Sequence, residues 1–427
     1  MTNKKIMYPQ NQVFWYLKDI PTQPLTQNIK TQVLIIGGGM AGLSAAQAFA
    51  YKGYRVTLIE KHFCGSGASG KSSGFITPNS ELGLEYFVHT YGLDHAKKIW
   101  AFDISGLQLI EDNIKNFSLS CDYQKQDSLA VSSSARNFTE LKKDHEFYKE
   151  LSFPSRLYDK QELPTILGTQ RYYGALAYPG TFGINGTAYC QGMKEVLKTK
   201  GVQIFEDTPA LSIEESTVKT AYNTIEAEYI VVCLDRFLPE LNKLSSDIFH
   251  VQTFLLASEP LSDNQIKKIF PQQRYMVWDS ELVYNYYRVI DGNRLVVGGG
   301  DMFATFWGSE QFDLRRMYKK LSNYFQKTFG FAINFEYMWP GLIGISKDLV
   351  PIATPDKNNP NIFYISAATG LPWAAALGWY SAERVADKNT EFDKYFSADR
   401  KFLIGNGIQK ILGKRISFAL STFWVTR

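Results

Sequence analysis

Three sets of residues in this sequence have types and spacings that could do chemistry. The first is Gly37-Gly-Gly39-Met40-Ala41-Gly42, a G-x-G-x-x-G turn answered by Glu60 roughly 20 residues further on. Glycines so placed allow a tight turn, let a pyrophosphate approach the backbone and let a helix pack close to its strand. A carboxylate at that distance can accept hydrogen bonds from both hydroxyls of an adenosine ribose, and it would repel a 2′-phosphate. This is the chemistry of dinucleotide binding. The second set is Gly65-Ser-Gly67-Ala68-Ser69-Gly-Lys71-Ser72-Ser73-Gly74-Phe75, whose glycines and small hydroxyl side chains offer backbone N–H groups without bulk, with Lys71 as a cation. The third is Tyr284-Asn-Tyr286-Tyr-Arg288. On a strand, period-two alternation sets Tyr284, Tyr286 and Arg288 on one face, where two phenols and a guanidinium could grip a carboxylate.

Particular elements must position these groups. Val33 to Ile36 is an apolar run of strand length, the mark of a strand buried on both faces of a parallel sheet. Leu43 to Tyr51 is alanine-rich and helical, and its N-terminus offers N–H groups and a positive dipole end to phosphates. A second strand, Arg55 to Ile59, delivers Glu60. Glu81 to Phe117 is helically spaced with a break at Tyr91-Gly-Leu; Leu129 to Ser132 reads as a strand, Asn137 to Leu151 as an exposed helix, and the stretch up to Pro179 as irregular. A helix then runs to Lys200, and Tyr229 to Cys233 is a buried strand. Strands dominate from Val251 to Trp339, including Leu282 to Ile290, apart from a helix at about Phe312 to Phe329 and an aromatic cluster from Phe303 to Trp307. Finally Ile362 to Ser366 feeds a helix opening at Pro372, which suits a first helical position, after Gly370, which admits a close ligand.

The 427 residues are too many for one compact core and suggest two domains. Removing the six cations that follow Asp399 from the total of 46 leaves slightly fewer cations than the 42 acids, so the formal charge of +4 belongs to the tail and nucleic-acid binding is not expected. The four cysteines have neither paired nor metal-ligand spacing, which argues for reduced thiols, a cytoplasmic protein and no metal. No apolar h-region and no run long enough to span a bilayer is present.

The loop Cys64 to Phe75 resembles the G-x-G-A-S-G-[RK]-x-x-G-F loop of the D-amino-acid oxidase-like flavoproteins, which include glycine oxidase, sarcosine oxidase and the γ-glutamylputrescine oxidase-like enzymes. The resemblance implies an α/β fold, a Rossmann-type FAD-binding domain interleaved with an antiparallel-sheet substrate domain. It implies non-covalent FAD, since no cysteine lies near Trp339 to Gly344 and no histidine lies between Gly65 and Phe75. The implied FAD contacts are Gly37, Gly39, Met40, Ala41 and Gly42 on the turn, Glu60 and Lys61, and Gly67, Ala68, Ser69, Lys71, Ser72, Ser73, Gly74 and Phe75 along the pyrophosphate and ribityl chain. Ala210 would meet the adenine, and Cys233, closing the returning strand, would also contact FAD. Thr369, Gly370, Leu371 and Pro372 form the helix start that points at the flavin N1–C2=O edge in the family. Three departures stand out: Gly186 replaces a proline in Gly183-Ile-Asn-Gly, Leu234-Asp replaces Thr-Gly or Thr-Asn, and the last loop lacks the family's histidine.

The family also implies the reaction: hydride transfer from a C–H beside nitrogen of an amine or amino acid to flavin N5, giving an imine that water hydrolyses, with O₂ or a quinone as final acceptor. Tyr286 and Arg288 would contact substrate, and Lys71 and Lys347 are weaker candidates as cations near the flavin. Two alternatives stay open: the same fold oxidising a C–O substrate such as a hydroxy acid or glycerol phosphate, or a flavin-binding protein without turnover. The expected division is an arm over 1–30, an FAD domain from 31–80, 185–250 and 345–388, a substrate domain from 81–184 and 251–344, and a tail over 389–427. Within the tail, apolar residues at helical spacing interleave with cations. Residues 400–427 therefore either make a peripheral membrane contact, at the inner face, or pack on the body or an oligomer partner.

Overall fold

The computed structural model describes residues 9–16, 20–78, 81–241, 243–281, 283–301, 305–306 and 314–425. Leu282, the start of the helix expected at Phe312, most of the Phe303 to Trp307 cluster, parts of the N-terminal arm and Arg427 lie outside them. Two compact units divide the chain. The first comprises Leu17–Tyr123, Asn185–Val251 and Leu342–Arg427; the second comprises Met1–Tyr16, Gln124–Ile184 and Gln252–Gly341.

The first unit is built on parallel strands. Gln203–Phe205, Val56–Ile59, Ile29–Ile36, Thr224–Val232 and Ile362–Ser366 lie side by side in that order, all parallel, and Ile352–Pro355 runs antiparallel at the end. Parallel strands need both faces covered, which is why Val33 to Ile36 carry no polar residue. Leu34 and Ile36 join Ile59, Ile230, Val232 and Ile352 in the core on one face. On the other, Ile35 lies under the helix Met40–Tyr51. From Ile29–Ile36 the chain steps to one neighbour through that helix, and the other neighbour, Thr224–Val232, arrives much later. The strand order therefore reverses beside Ile29–Ile36, and in open α/β sheets ligands bind at the carboxyl ends of strands at such a point.

The helices expected between Glu81 and Phe117 form as Leu84–Tyr91 and Leu93–Asn116, separated by Gly92 at φ +81°. They cluster with the first unit, whereas the sequence expectation put them with residues 251–344. Gly106 explains this: a Cβ there would stand 2.0 Å from the Pro372 carbonyl oxygen, so this helix is pressed backbone to backbone on the helix Leu371–Ala386.

The second unit is a nine-stranded, mostly antiparallel sheet in the order Gln10–Asn11, Phe335–Ile345, Phe249–Ser258, Arg294–Gly299, Tyr286–Ile290, Met276–Asp279, Ser128–Val131, Gly174–Tyr178, Arg156–Asp159. Alternation sends Phe254 and Leu256 to a core shared with the helix Leu314–Phe329, and Leu255 and Ala257 to one shared with Trp15 and Trp339. Arg156–Asp159 and Gly174–Tyr178 fall in the stretch expected to be irregular. Gly174–Tyr178 is buried at all five positions, so it shows no alternation to read. A short helix, Asp263–Ile269, also interrupts the strand region, opened by a capping box between Ser262 and Gln265. Among the described residues no helix is long and apolar enough to cross a membrane.

One buried group stands out energetically. Asp103, on Leu93–Asn116, is fully buried, and neither carboxyl oxygen has a hydrogen-bond partner among the described residues. Burial alone pushes its pKa well above the usual carboxylate range. The folded state therefore holds a proton that the unfolded chain releases above about pH 4, so stability falls as pH rises from there toward the folded pKa. Asp103→Asn removes this dependence. It is expected to unfold at higher urea than the parent, by about 1–3 kcal/mol at neutral pH, with the margin vanishing near pH 4; urea melts across pH measure both.

Candidate functional site

The site grows out of the turn after Ile36. Gly37 sits at φ +108°, and a Cβ there would lie 2.4 Å from the Cys233 carbonyl oxygen. The Cys233 N–H donates to the Ile36 carbonyl at 2.8 Å, so the returning strand is locked beside the turn. A Cβ on Gly42 would lie 1.8 Å from the Gly37 carbonyl oxygen. Only glycine permits these approaches, and they bring the N-terminus of Met40–Tyr51 to the carboxyl end of the central strand. Backbone N–H groups and the positive dipole end there suit a phosphate.

The second loop closes on the same point. Ala68–Lys71 is one helical turn, and Ser69 Oγ accepts the Met40 N–H at 3.0 Å. Gly67 precedes this turn, and Lys71, half-buried, ends it. Ser72 donates to the Ser69 carbonyl at 3.0 Å and accepts the Gly74 N–H at 3.2 Å, fixing a turn that passes through Gly74 at φ +73° into the strand Phe75–Ile76. A Cβ on Gly186 would stand 2.2 Å from the Ser69 carbonyl oxygen. That contact gives the departure from proline at this position a steric reason.

Glu60 stands at the end of the second strand. One oxygen accepts the Gly38 N–H at 2.7 Å; the other accepts the His62 N–H at 3.0 Å and the Ser66 hydroxyl at 3.2 Å. The Thr208 N–H donates to the Glu60 carbonyl at 2.8 Å, which brings half-buried Ala210 to the same edge. Lys61 places its ammonium 5.2 Å from the Phe237 ring centre.

From the far end of the sequence, Gly370 at φ +114° opens Leu371–Ala386, with Pro372 in its first turn and Thr369, Leu371 and Pro372 buried. This helix packs on Met40–Tyr51 so closely that a Cβ on Gly378 would lie 2.2 Å from the Ala41 carbonyl oxygen. The glycine turn near the start of the sequence and the alanine-rich helix near its end thus belong to one assembly. The sequence reading missed Asp235, seen there only as a departure. Its carboxylate accepts the Gly344 N–H at 2.8 Å, and the Ser366 hydroxyl donates to its carbonyl at 2.5 Å, tying three segments together. Burial raises its pKa, against the lowering pull of hydrogen bonds from the Gly344, Arg236 and Ala367 backbones.

In the second unit Tyr286 and Arg288 share a face of Tyr286–Ile290, while Tyr287 points into the core with the helix Leu314–Phe329. The Tyr286 ring covers Gly298, where a Cβ would meet it at 2.2 Å, and lies 5.7 Å from the Tyr284 ring. Arg288 is fully buried; its Nη2 donates to the Ile184 carbonyl at 2.6 Å, and a Cβ on Gly183 would lie 2.3 Å from Nη1. Lys347 is 1% exposed, donates to Asn406 Oδ1 at 3.0 Å and sits 5.2 Å from the Phe402 ring centre, so its ammonium meets the tail.

A glycine turn opening a helix at a reversal of strand order, with an acid closing the next strand, defines a Rossmann-type dinucleotide-binding protein. Residues 32–387 match the DAO family of FAD dependent oxidoreductases, and the chain belongs to that family. It is an FAD-dependent oxidoreductase, and the cradle described above fits that cofactor. The chain is 28% identical over 365 residues to the "Probable oxidoreductase OrdL" of Haemophilus influenzae, covering 83% of this chain and 82% of that one. It is 26% identical over 363 residues to the γ-glutamylputrescine oxidoreductase of Escherichia coli, with the same coverage. In fold it is similar to the L-proline dehydrogenase of P. horikoshii, at a TM-score of 0.75 and 16% identity over 91% of this chain and 99% of that one.

Gly42→Ala should abolish FAD retention, because its methyl group cannot coexist with the Gly37 carbonyl. The ratio of flavin to protein absorbance in the purified variant is the measurement. Gly407→Ala, with nothing within 4 Å of its Cβ, should keep the parent ratio.

Proposed function

We propose that this enzyme oxidises the C–N bond of an amine or amino acid, releasing an imine that water hydrolyses to a carbonyl compound and ammonia or a smaller amine. The observation that carries this reading is the likeness, along most of the chain, to γ-glutamylputrescine oxidoreductase. Bound FAD supplies the two-electron acceptance at its N5, and O₂ or a quinone reoxidises it. The chain's own task is to hold the cofactor through the two glycine loops and Glu60, to orient the substrate, and to keep water from the reacting carbon. An amine bound neutral has a lone pair beside the C–H bond to be broken, so no dedicated base is required.

Tyr286 and Arg288 are the proposed substrate contacts, the guanidinium pairing with a carboxylate and the phenol donating to it. Support comes from their common face and from the fixed position of Arg288 against Ile184. The start of Leu371–Ala386 is the proposed partner of the flavin's pyrimidine edge, where helix N–H groups and the dipole favour negative charge.

The decisive experiment is anaerobic bleaching of the flavin by secondary amines, amino acids of both hands and polyamine derivatives, followed by readmission of air. Bleaching by one class is expected, with ammonia or amine released; recolouring in air indicates O₂ as acceptor, and its absence a quinone. Bleaching only by hydroxy acids or glycerol phosphate would replace this reading with C–O oxidation, and no bleaching at all would sink it. With a bleaching carboxylate substrate, Arg288→Lys should raise KM about 10–100-fold with a smaller change in kcat, since an ammonium cannot reproduce the bidentate fork. An unchanged KM would remove Arg288 from the substrate site.

A further inference from the structure

The C-terminal segment settles one side of an either–or and leaves the other side exposed. It folds as two helices, Asn406–Leu412 and Lys414–Val425, turning at Gly413 with φ +79°. One side is anchored to the first unit. The Gln409 side-chain amide donates to the Ser246 carbonyl at 3.0 Å, Asn406 accepts from Lys347, and the Phe418 ring lies 5.4 Å from Phe249. Ser417, Phe418, Ser421 and Thr422 are buried beneath the second helix.

The opposite side is apolar and open to solvent. Ile408, Ile411 and Leu412 share one face of the first helix, and Ile416, Leu420 and Trp424 one face of the second. Of the twelve large hydrophobic side chains exposed among the described residues, seven lie between Leu403 and Trp424. Isolated exposed leucines are ordinary, but such a concentration marks an interaction surface. Its charge selects the partner. Lys401, Lys410 and Arg415 are exposed within the same segment, and no acid follows Asp399 in the sequence. A second copy docked face to face would bring these cations together without a carboxylate from the segment to pair them. A layer of anionic phosphates with hydrocarbon behind it satisfies both features.

We propose that this face docks the enzyme on an anionic phospholipid bilayer, with the isoleucines and leucines at the acyl boundary, Trp424 at headgroup level and the cations on lipid phosphates. The two helices lie beyond the stretch that matches the FAD-dependent family, which ends at 387, so this inference goes past the proposed reaction and is measured without turnover.

The test is co-sedimentation of the FAD-loaded full chain with phosphatidylcholine vesicles with and without about 30% phosphatidylglycerol. Binding is expected only with the anionic lipid, and should weaken severalfold when salt is raised from roughly 0.1 to 0.5 M. Ile408→Glu with Ile411→Glu, and separately Lys410→Glu with Arg415→Glu, should each lower the bound fraction at least about tenfold, as a charge in hydrocarbon or a lost phosphate contact costs over 1 kcal/mol. Because all four side chains are exposed, flavin absorbance and thermal melting should stay at parent values. Failure to sediment with phosphatidylglycerol vesicles, or equal sedimentation of the isoleucine variant, would overturn the proposal. So would a dimer of the parent in solution that the isoleucine variant dissolves, since a second copy would then occupy the face.

Discussion

The approach of the Gly42 Cα to the Gly37 carbonyl is the constraint on which the first unit depends. It fixes how steeply the chain turns from strand to helix, and so where the helix N-terminus emerges. Other contacts are stacked on it. Ser69 reaches the Met40 N–H only because the helix begins there, and Glu60 reaches the Gly38 N–H only because Gly37 and Gly38 are folded toward the second strand. Cys233 fills the other side of the turn with backbone, and Gly378 lets the helix Leu371–Ala386 settle against Ala41. A turn suited to a phosphate is thus made from backbone packed to its steric limit, with glycine at positions 37, 42 and 378, where a methyl group would collide.

The second unit solves a different problem. Its sheet packs an apolar core on each face and must still place polar side chains among the residues of one of them. Alternation does most of this: Tyr287 and Val289 go to the core, and Tyr286 and Arg288 to the opposite face. Arg288 is then held by the Ile184 carbonyl, and Gly183 clears space for the guanidinium. A buried guanidinium is costly unless its N–H groups are met, so its partners are as much a part of the arrangement as the arginine itself.

How much of this was legible depends on the range of the interaction that decides it. The glycine turn, Glu60 and the break at Gly92 were readable because glycine geometry is local. The strand at Gly174–Tyr178 was not, since burial on both faces erases the period of two. The helix at Asp263–Ile269 carried a signal, serine followed three residues later by glutamine, that the surrounding strand pattern masked. Asp235 could not be placed, because its meaning lies in Gly344, more than a hundred residues away. The contacts of Lys347 with Asn406 and Phe402 were out of reach for a similar reason, since they join it to a distant segment of the chain. Asp103 occupies a polar position on an amphipathic helix pattern, and only the packing of Gly106 on Pro372 shows that this face is inside.

Asp103 and Asp235 together show how the unit treats buried carboxyls. Both are buried, and for both burial is the leading cause of a raised pKa. Asp235 is met by backbone N–H groups and joins three segments, so its charge is compensated locally and its position is fixed. Asp103 has no such partner and is most cheaply held as a neutral acid, which leaves a carboxyl proton inside the helical layer beside Leu371–Ala386. Unsatisfied buried groups are few in folded proteins because each costs on the order of 1–3 kcal/mol. At Asp103 the helix is held by packing on its neighbour, and its buried hydrogen bonds come a few turns later, where Asn113 pairs with Gln47 and donates to the Tyr189 hydroxyl at 3.0 Å. In the C-terminal segment a few polar contacts and the Phe418 ring hold two helices whose outer residues the rest of the unit leaves uncovered.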